Sequence, residues 1–144
     1  MYKKSYEFVS TAKMPYQRAE SNANFMLTGK LREKHDNVPF DIDSDIPEFH
    51  CSVKSSRFTL CSGSMLTAQD FDGQIAEYMA RTASTVVCYM AMNGYAYFMN
   101  MVEFEMFLRR FCSLQRESGG KFMKVRMRSA ESDTHIKWLE SHIA

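Results

Sequence analysis

The dipeptide Asn93-Gly94 stands between two apolar runs, 85–92 and 95–101, and limits more than any other feature how this chain can fold. The first run is rich in β-branched residues and the second in aromatic residues, as strands are. An Asn-Gly pair readily adopts the backbone that a tight β-hairpin needs. The pattern therefore predicts two antiparallel strands joined at this turn.

Apolar residues recur at helical spacing in four other segments. The predicted helices cover 15–34, 70–82, 103–114 and a last segment from about residue 131. Pro15 suits the start of the first helix, and Asp70 or Asp72 can cap the second. Alternating patterns predict further strands at 49–60 and 121–128. The segment 40–45 alternates acids with other residues, so it is either a short strand with an acidic face or a solvated loop.

The chain has 144 residues, enough for one domain with a hydrophobic core. The predicted elements favour a single α+β or α/β domain over residues 1–144, with a mixed central sheet flanked by helices. A net charge of +1 excludes a strongly basic coat protein but permits a local basic patch. No apolar run reaches about 18 residues, and the basic start MYKKSYEFVS lacks the apolar stretch of a signal peptide.

The four cysteines favour a reducing compartment. Cys51, Cys88 and Cys112 lie in apolar periodic segments, which indicates buried free thiols and a cytoplasmic protein. None of the four has the close partner that a zinc site requires.

The stretch 45–56, DIPEFHCSVKSS, carries the most suggestive chemistry. Side chains alternate along a strand, so Ser52 and Lys54 are expected on one face and Cys51 and Val53 on the other. A lysine on a strand beside acids suits a metal-dependent phosphodiesterase. Such an enzyme uses a divalent metal to activate water, and Mg²⁺ prefers carboxylate oxygens.

Three acids can complete this arrangement. Asp45 lies at a turn before the strand, Glu48 lies nearby, and Glu20 falls on the inward side of the first predicted helix. Burying a carboxylate is costly unless a cation meets it. Glu20 is therefore either a site residue or an acid that the helix dipole stabilises.

The pattern of the PD-(D/E)XK nuclease superfamily is an inward Glu on a first helix, then an Asp, then an acid-x-Lys strand. The order of Glu20, Asp45 and the strand with Lys54 resembles this pattern. The stretch 45–56 is most similar to MutH-type nicking endonucleases, with Asp45 seven residues before the position of the family's acid. Gln74 and Tyr78 fit the Q-x-x-x-Y helix of RecB-like members. The resemblance covers roughly residues 20–78 and rests on the order of these short motifs.

The resemblance implies a restriction-endonuclease-like αβββαβ core and a DNA endonuclease or nicking phosphodiesterase that depends on Mg²⁺ or Mn²⁺. It assigns the metal to Asp45, Glu20 and Glu48, and catalysis to these acids together with Lys54 and the Ser52 position. Ser52 departs from the pattern, because a neutral hydroxyl replaces the usual acid and binds Mg²⁺ more weakly. Glu48, Asp43 or Glu20 would have to supply the missing charge.

Other residues are expected at the DNA. The resemblance implies that Gln74 and Tyr78 support the site or touch DNA. Lys124, Arg126 and Arg128 alternate with apolar residues, so this cationic strand face is either solvated or meets an anion such as a DNA phosphate.

Two other functions fit the same sequence. One is a catalytically impaired protein of the nuclease fold that binds DNA or a protein partner, as an accessory factor or inhibitor of a phage or mobile element. The other is a plain interaction domain in which Asp45 and Lys54 form a surface ion pair. For an active enzyme, nicking needs one active site, whereas cutting both strands usually needs two and hence a homodimer.

Overall fold

A computed structural model describes residues 1–32, 40–42, 51–61, 66–116, 120, 122–128 and 132–143. The described part is an α+β protein, which confirms the prediction at that level. None of its helices is long and apolar enough to cross a membrane. Its elements in chain order are β1 (Tyr2–Ser5), α1 (Pro15–Thr28), β2 (Cys51–Ser55), α2 (Phe71–Arg81), β3 (Val86–Met90), β4 (Tyr95–Asn100), α3 (Met101–Phe111), β5 (Cys112–Arg116), β6 (Met123–Met127) and α4 (Ser132–Ser141).

The main sheet is mixed and has the strand order β1-β4-β3-β2. β3 pairs antiparallel with β4, which confirms the predicted hairpin, and β4 pairs antiparallel with β1. Gly94 has a φ of +84°, and the Asn93 Oδ1 accepts a hydrogen bond from the Tyr95 N–H at 3.1 Å. β2 lies parallel to β3, with α2 connecting the two along the chain.

The strands of this sheet alternate between two hydrophobic cores. One face packs against α1, where Cys51, Val53, Cys88 and Phe98 meet Ala23. The other face packs against α2, α3 and α4 in a larger, aromatic core. Its fully buried members include Tyr78, Tyr89, Tyr97, Met99, Phe104, Phe107, Phe111 and Leu139.

β5 and β6 form a separate antiparallel pair, which we call the ribbon. Leu114 and Val125 are partners across it and face the aromatic core. The segment 58–60 lies along the other edge of β6, where the Leu60 N–H donates to the Val125 carbonyl at 2.9 Å. The chain that follows β2 is thereby hydrogen-bonded to the ribbon.

The first predicted helix is too long by six residues. It ends at Thr28 rather than Lys34, because Gly29 adopts the left-handed conformation with φ +79° and caps the Phe25 carbonyl. The predicted strand 49–60 is also too long within its described part. β2 ends at Ser55, and Arg57 turns the chain with a φ of +62°.

The third predicted helix is displaced towards the N terminus. It begins at Met101 because Asn100 and Glu103 form a capping box, with hydrogen bonds of 2.8 and 2.9 Å. It ends at Phe111 because the next five residues pair with β6 as β5. The prediction of helix over 112–114 was therefore wrong, since tertiary pairing outweighed the local helical pattern.

Candidate functional site

The two predicted faces of β2 are present in the structure. Cys51 and Val53 are buried against α1, whereas Ser52 and Lys54 face the side of α2. The Ser52 hydroxyl lies 2.9 Å from the Ser84 hydroxyl, and the Lys54 ammonium lies 5.1 Å from the centre of the Tyr78 ring. Ser52 is thus engaged by a second serine, and Lys54 lies over an aromatic face.

The structure does not place Glu20 beside Lys54, and it does not describe the other predicted acids. Glu20 is buried on α1, which packs on the opposite face of the sheet from Lys54. Asp45 and Glu48 lie outside the described residues, as does Asp43. Within the described ranges, no three His, Cys, Asp or Glu side chains form a group that could hold a metal ion. The described side chains around Lys54 therefore do not by themselves fit Mg²⁺.

Asp41 lies beside β2, a position that the sequence interpretation did not assign to it. Its N–H donates to the Cys51 carbonyl at 3.1 Å, and its Oδ2 accepts from the Val53 N–H at 2.8 Å. Asp41 thereby pairs the edge of β2 as a neighbouring strand would. The only sequence signal was its place between Phe40 and Ile42 in an alternating segment.

The Cys51 thiol next to Asp41 is a poor nucleophile. Burial raises its pKa to about 12, and the negative charge of Asp41 adds to the effect. At neutral pH the group is the neutral thiol, so it fills space in the core.

Gln74 performs on β6 the role that Asp41 performs on β2. Its Oε1 accepts from the Val125 N–H at 3.0 Å, and its Nε2 donates to the Met123 carbonyl at 2.9 Å. The same Nε2 lies 3.1 Å from the Ala68 carbonyl. With its amide engaged in this way, Gln74 supports the ribbon and extends the pairing that the segment 58–60 begins.

Tyr78 lies one turn after Gln74 on α2 and is also inside the protein. Its ring packs 5.9 Å from that of Phe104 and is 1% exposed. Its hydroxyl is buried and has no hydrogen-bond partner among the residues that the structure describes. Both residues of the Q-x-x-x-Y pattern thus lie beneath the surface, where they can support a site but cannot reach DNA.

Glu77 ties the segment before α2 to that helix. Its carboxylate accepts from the backbone N–H groups of Thr67 and Ala68 at 2.9 Å, and from the Thr67 hydroxyl at 2.8 Å. Arg81 pairs with it at 2.6 Å. The backbone hydrogen bonds, with help from Thr67 and Arg81, lower the pKa of Glu77 to about 2.

We expect the Thr67–Ala68 segment to loosen in acid because of this low pKa. Glu77 titrates below its usual value of about 4.3. Its stabilising effect is therefore complete above that pH and is lost as the pH falls through about 2. An NMR titration of the Glu77 carboxyl carbon should have its midpoint near 2. A midpoint at the ordinary value for glutamate would contradict the hydrogen bonding described, and Glu77→Gln should speed amide exchange at Thr67 and Ala68 already at neutral pH.

The outer face of the ribbon is cationic. Lys124, Arg126 and Arg128 alternate with the buried Val125 and Met127, as predicted. The residues opposite the first two on β5 are neutral, since Gln115 pairs with Lys124 and Ser113 with Arg126. The described residues of the ribbon, 112–116 and 122–128, contain no Asp or Glu. The charged side chains of these stretches are therefore all positive.

Comparison with protein-family models, with curated proteins and with solved structures finds no match to this chain. The functional argument therefore rests on the side chains themselves.

Proposed function

We propose that this protein binds nucleic acid through the cationic outer face of the ribbon. The observation that carries the proposal is the pair of cations Lys124 and Arg126 on β6, whose partners on β5 are the neutral Gln115 and Ser113. Arg128 follows β6 on the same alternation, and its guanidinium donates to the Arg110 carbonyl. Cations placed two residues apart on a strand are about 6.6 Å apart along it. Phosphates of a nucleic acid backbone provide a matching row of negative charges, and lysine and arginine are their usual contacts.

The support beneath this face favours a binding surface over a flexible cationic segment. Gln74 and the segment 58–60 hydrogen-bond one edge of β6, and β5 pairs with the other. The inward residues Val125 and Met127 are anchored in the aromatic core. The backbone that carries the cations is thus held on three sides, which lowers the entropy cost of ordering the contacts on binding.

Removing these cations is expected to weaken binding and to reduce its dependence on salt. Arg126→Ala should lower the affinity for a labelled DNA about fivefold at low salt, the effect of roughly 1 kcal/mol per solvated charge pair. It should also reduce the slope of log K against log salt by about 1. Lys124→Ala should act in the same direction, and fluorescence anisotropy over a salt series measures both.

Lys4→Ala is the matched control, because this exposed lysine lies on β1 at the far edge of the main sheet from β2. It removes the same charge and should leave the slope unchanged. An equal loss in Lys4→Ala and Lys124→Ala would show that net charge alone acts. Failure of the wild-type protein to bind any nucleic acid would overturn the proposal and favour a protein partner.

A second candidate function is a metal-dependent DNA endonuclease of nicking type, on a restriction-endonuclease-like αβββαβ core. The observation that favours it is Lys54, which lies on a half-buried strand face and forms no ion pair with a described residue. Asp45 and Glu48 remain the residues proposed to hold Mg²⁺ or Mn²⁺ there. The Ser52–Ser84 contact offers only neutral oxygens, and this favours the binding function over cleavage.

Supercoiled plasmid incubated with Mg²⁺ or Mn²⁺ tests this candidate. A nuclease centred on Lys54 should nick the plasmid, and Lys54→Ala and Asp45→Ala should each lower the rate at least ~100-fold, as loss of a catalytic group does. Lys4→Ala again serves as the control and should cut normally. Nicking that survives both substitutions would come from another site or a contaminant.

A further inference from the structure

A cavity of about 550 Å³ opens next to the cationic face. Its volume falls within the range of about 300–1,000 Å³ that is typical of small-molecule sites. It lies between the start of β6 and two segments of the chain, residues 60–61 and 66–69. Its lining is mainly apolar, with a few polar groups, and includes Leu60, Cys61, Leu66, Gln69, Met123 and Lys124.

Two features connect this cavity to the ribbon. Lys124 lines the cavity and also begins the row of cations on β6. Phe122, which precedes β6, lines the cavity too and leaves 49% of its surface exposed. Its ring and Lys124 thus meet at the same cavity. An exposed aromatic ring beside a row of positive charges is the combination that single-strand binding proteins use.

We propose that this cavity receives an unstacked base of a single-stranded nucleic acid whose phosphates lie along the ribbon. The inference rests on the proposed nucleic-acid binding and specifies its ligand as single-stranded. Phe122 supplies a face on which a base can stack, and the apolar wall of Leu60 and Leu66 accommodates the remainder of the ring. Gln69 also lines the cavity; its Nε2 donates to the Thr67 carbonyl at 3.0 Å, and its Oε1 is the acceptor that it can offer to the edge of the base. The bases of an intact duplex are stacked within the helix and cannot enter such a cavity.

The native cysteines allow a direct test at the cavity. Cys61 is exposed and lines it, whereas Cys51, Cys88 and Cys112 are buried. A maleimide applied to the folded protein therefore reports on Cys61. At saturation, a thymidine strand of about 12 nucleotides is expected to slow this alkylation about tenfold. A strand of this length is within the usual site sizes of single-strand binders. An abasic strand with the same phosphates should bind more weakly and give little protection.

Substitution of the stacking ring separates base binding from phosphate binding. Phe122→Ala should lower the affinity for the thymidine strand about tenfold, the lower part of the range for one base–aromatic contact, and should remove the protection of Cys61. Its affinity for the abasic strand should not change. Phe8→Ala, which removes an aromatic ring that is 60% exposed outside the cavity, serves as the control.

The outcomes distinguish the two proposals. If the thymidine strand binds through Arg126 but leaves the alkylation rate of Cys61 unchanged, the cavity proposal is wrong and the ribbon proposal stands. The same conclusion follows if the abasic strand protects equally, or if Phe122→Ala binds the thymidine strand normally. If no strand binds at all, both proposals fail.

Discussion

Replacing Phe107 with alanine is expected to lower the free energy of unfolding by about 3–5 kcal/mol. Phe107 is fully buried on α3 at the centre of the aromatic core. Its ring centre lies 5.3 Å from that of Tyr89, 5.2 Å from that of Phe111 and 5.9 Å from that of Trp138. These rings belong to the main sheet, α3 and α4, so the substitution leaves a cavity where three elements meet.

Urea unfolding followed by circular dichroism measures this loss. Phe122→Ala is the matched control, because its ring is about half exposed and its removal should cost less than about 0.5 kcal/mol. A loss in Phe107→Ala no larger than that of the control would mean that the core is less tightly packed around this ring than the structure shows. The control also establishes that Phe122→Ala is folded when its binding is measured.

Replacing Gln74 with leucine is expected to destabilise the protein by about 2–4 kcal/mol. Leucine has a similar size but cannot hydrogen-bond, so the Val125 N–H loses its acceptor and the Met123 carbonyl loses a donor. The Ala68 carbonyl loses a donor as well. Gln74 is 3% exposed, so water cannot easily replace its amide. Each buried polar group left without a partner costs about 1–3 kcal/mol.

Gln115→Leu provides the comparison, since Gln115 hydrogen-bonds to Ser113 and to the Arg126 carbonyl on the partly exposed outer face. Its loss should cost less than about 1 kcal/mol, because water can reach the groups that it leaves. Hydrogen exchange then locates the effect of Gln74→Leu, which should expose the Val125 amide first. An unchanged exchange rate at Val125 would contradict the role assigned to Gln74.

The same substitution connects stability with the proposed function. Gln74 does not touch the outer face of the ribbon, but it holds the edge of the strand that carries Arg126. Gln74 also lines the cavity, so the abasic strand, which places no base there, is the probe for this effect. If the cations act from a fixed strand, Gln74→Leu should weaken binding of the abasic strand even where the protein remains folded. This effect would identify Gln74 as a positioning residue.

Local patterns predicted those elements whose signals lie within a few residues. The β3–β4 hairpin follows from Asn93-Gly94, and α2 begins after the cap Asp70, whose carboxylate accepts from the Gly73 N–H at 3.2 Å. β6 follows from the alternation over 121–128. In each case the turn chemistry, the cap or the side-chain period acts locally, so the sequence contains the information.

Elements that depend on distant partners were not predicted. β1 exists through pairing with β4, and β5 through pairing with β6. The helical pattern continued to Leu114, yet Leu114 lies in a strand opposite Val125. Pairing of this kind is decided by contacts that the local sequence does not reveal.

In the candidate site, too, some features were predicted from local patterns and others were not. Alternation along β2 determined that Lys54 and Ser52 share one face, and alternation along β6 determined the row of cations, because the side-chain period of a strand is a property of the backbone. Only the tertiary structure decided which element covers each face. It placed α1 with Glu20 across the sheet from Lys54, Ser84 against Ser52, and Gln74 on the edge of β6. These contacts join residues far apart in the chain, and it is the packing of helices on the two faces of a sheet that brings them together.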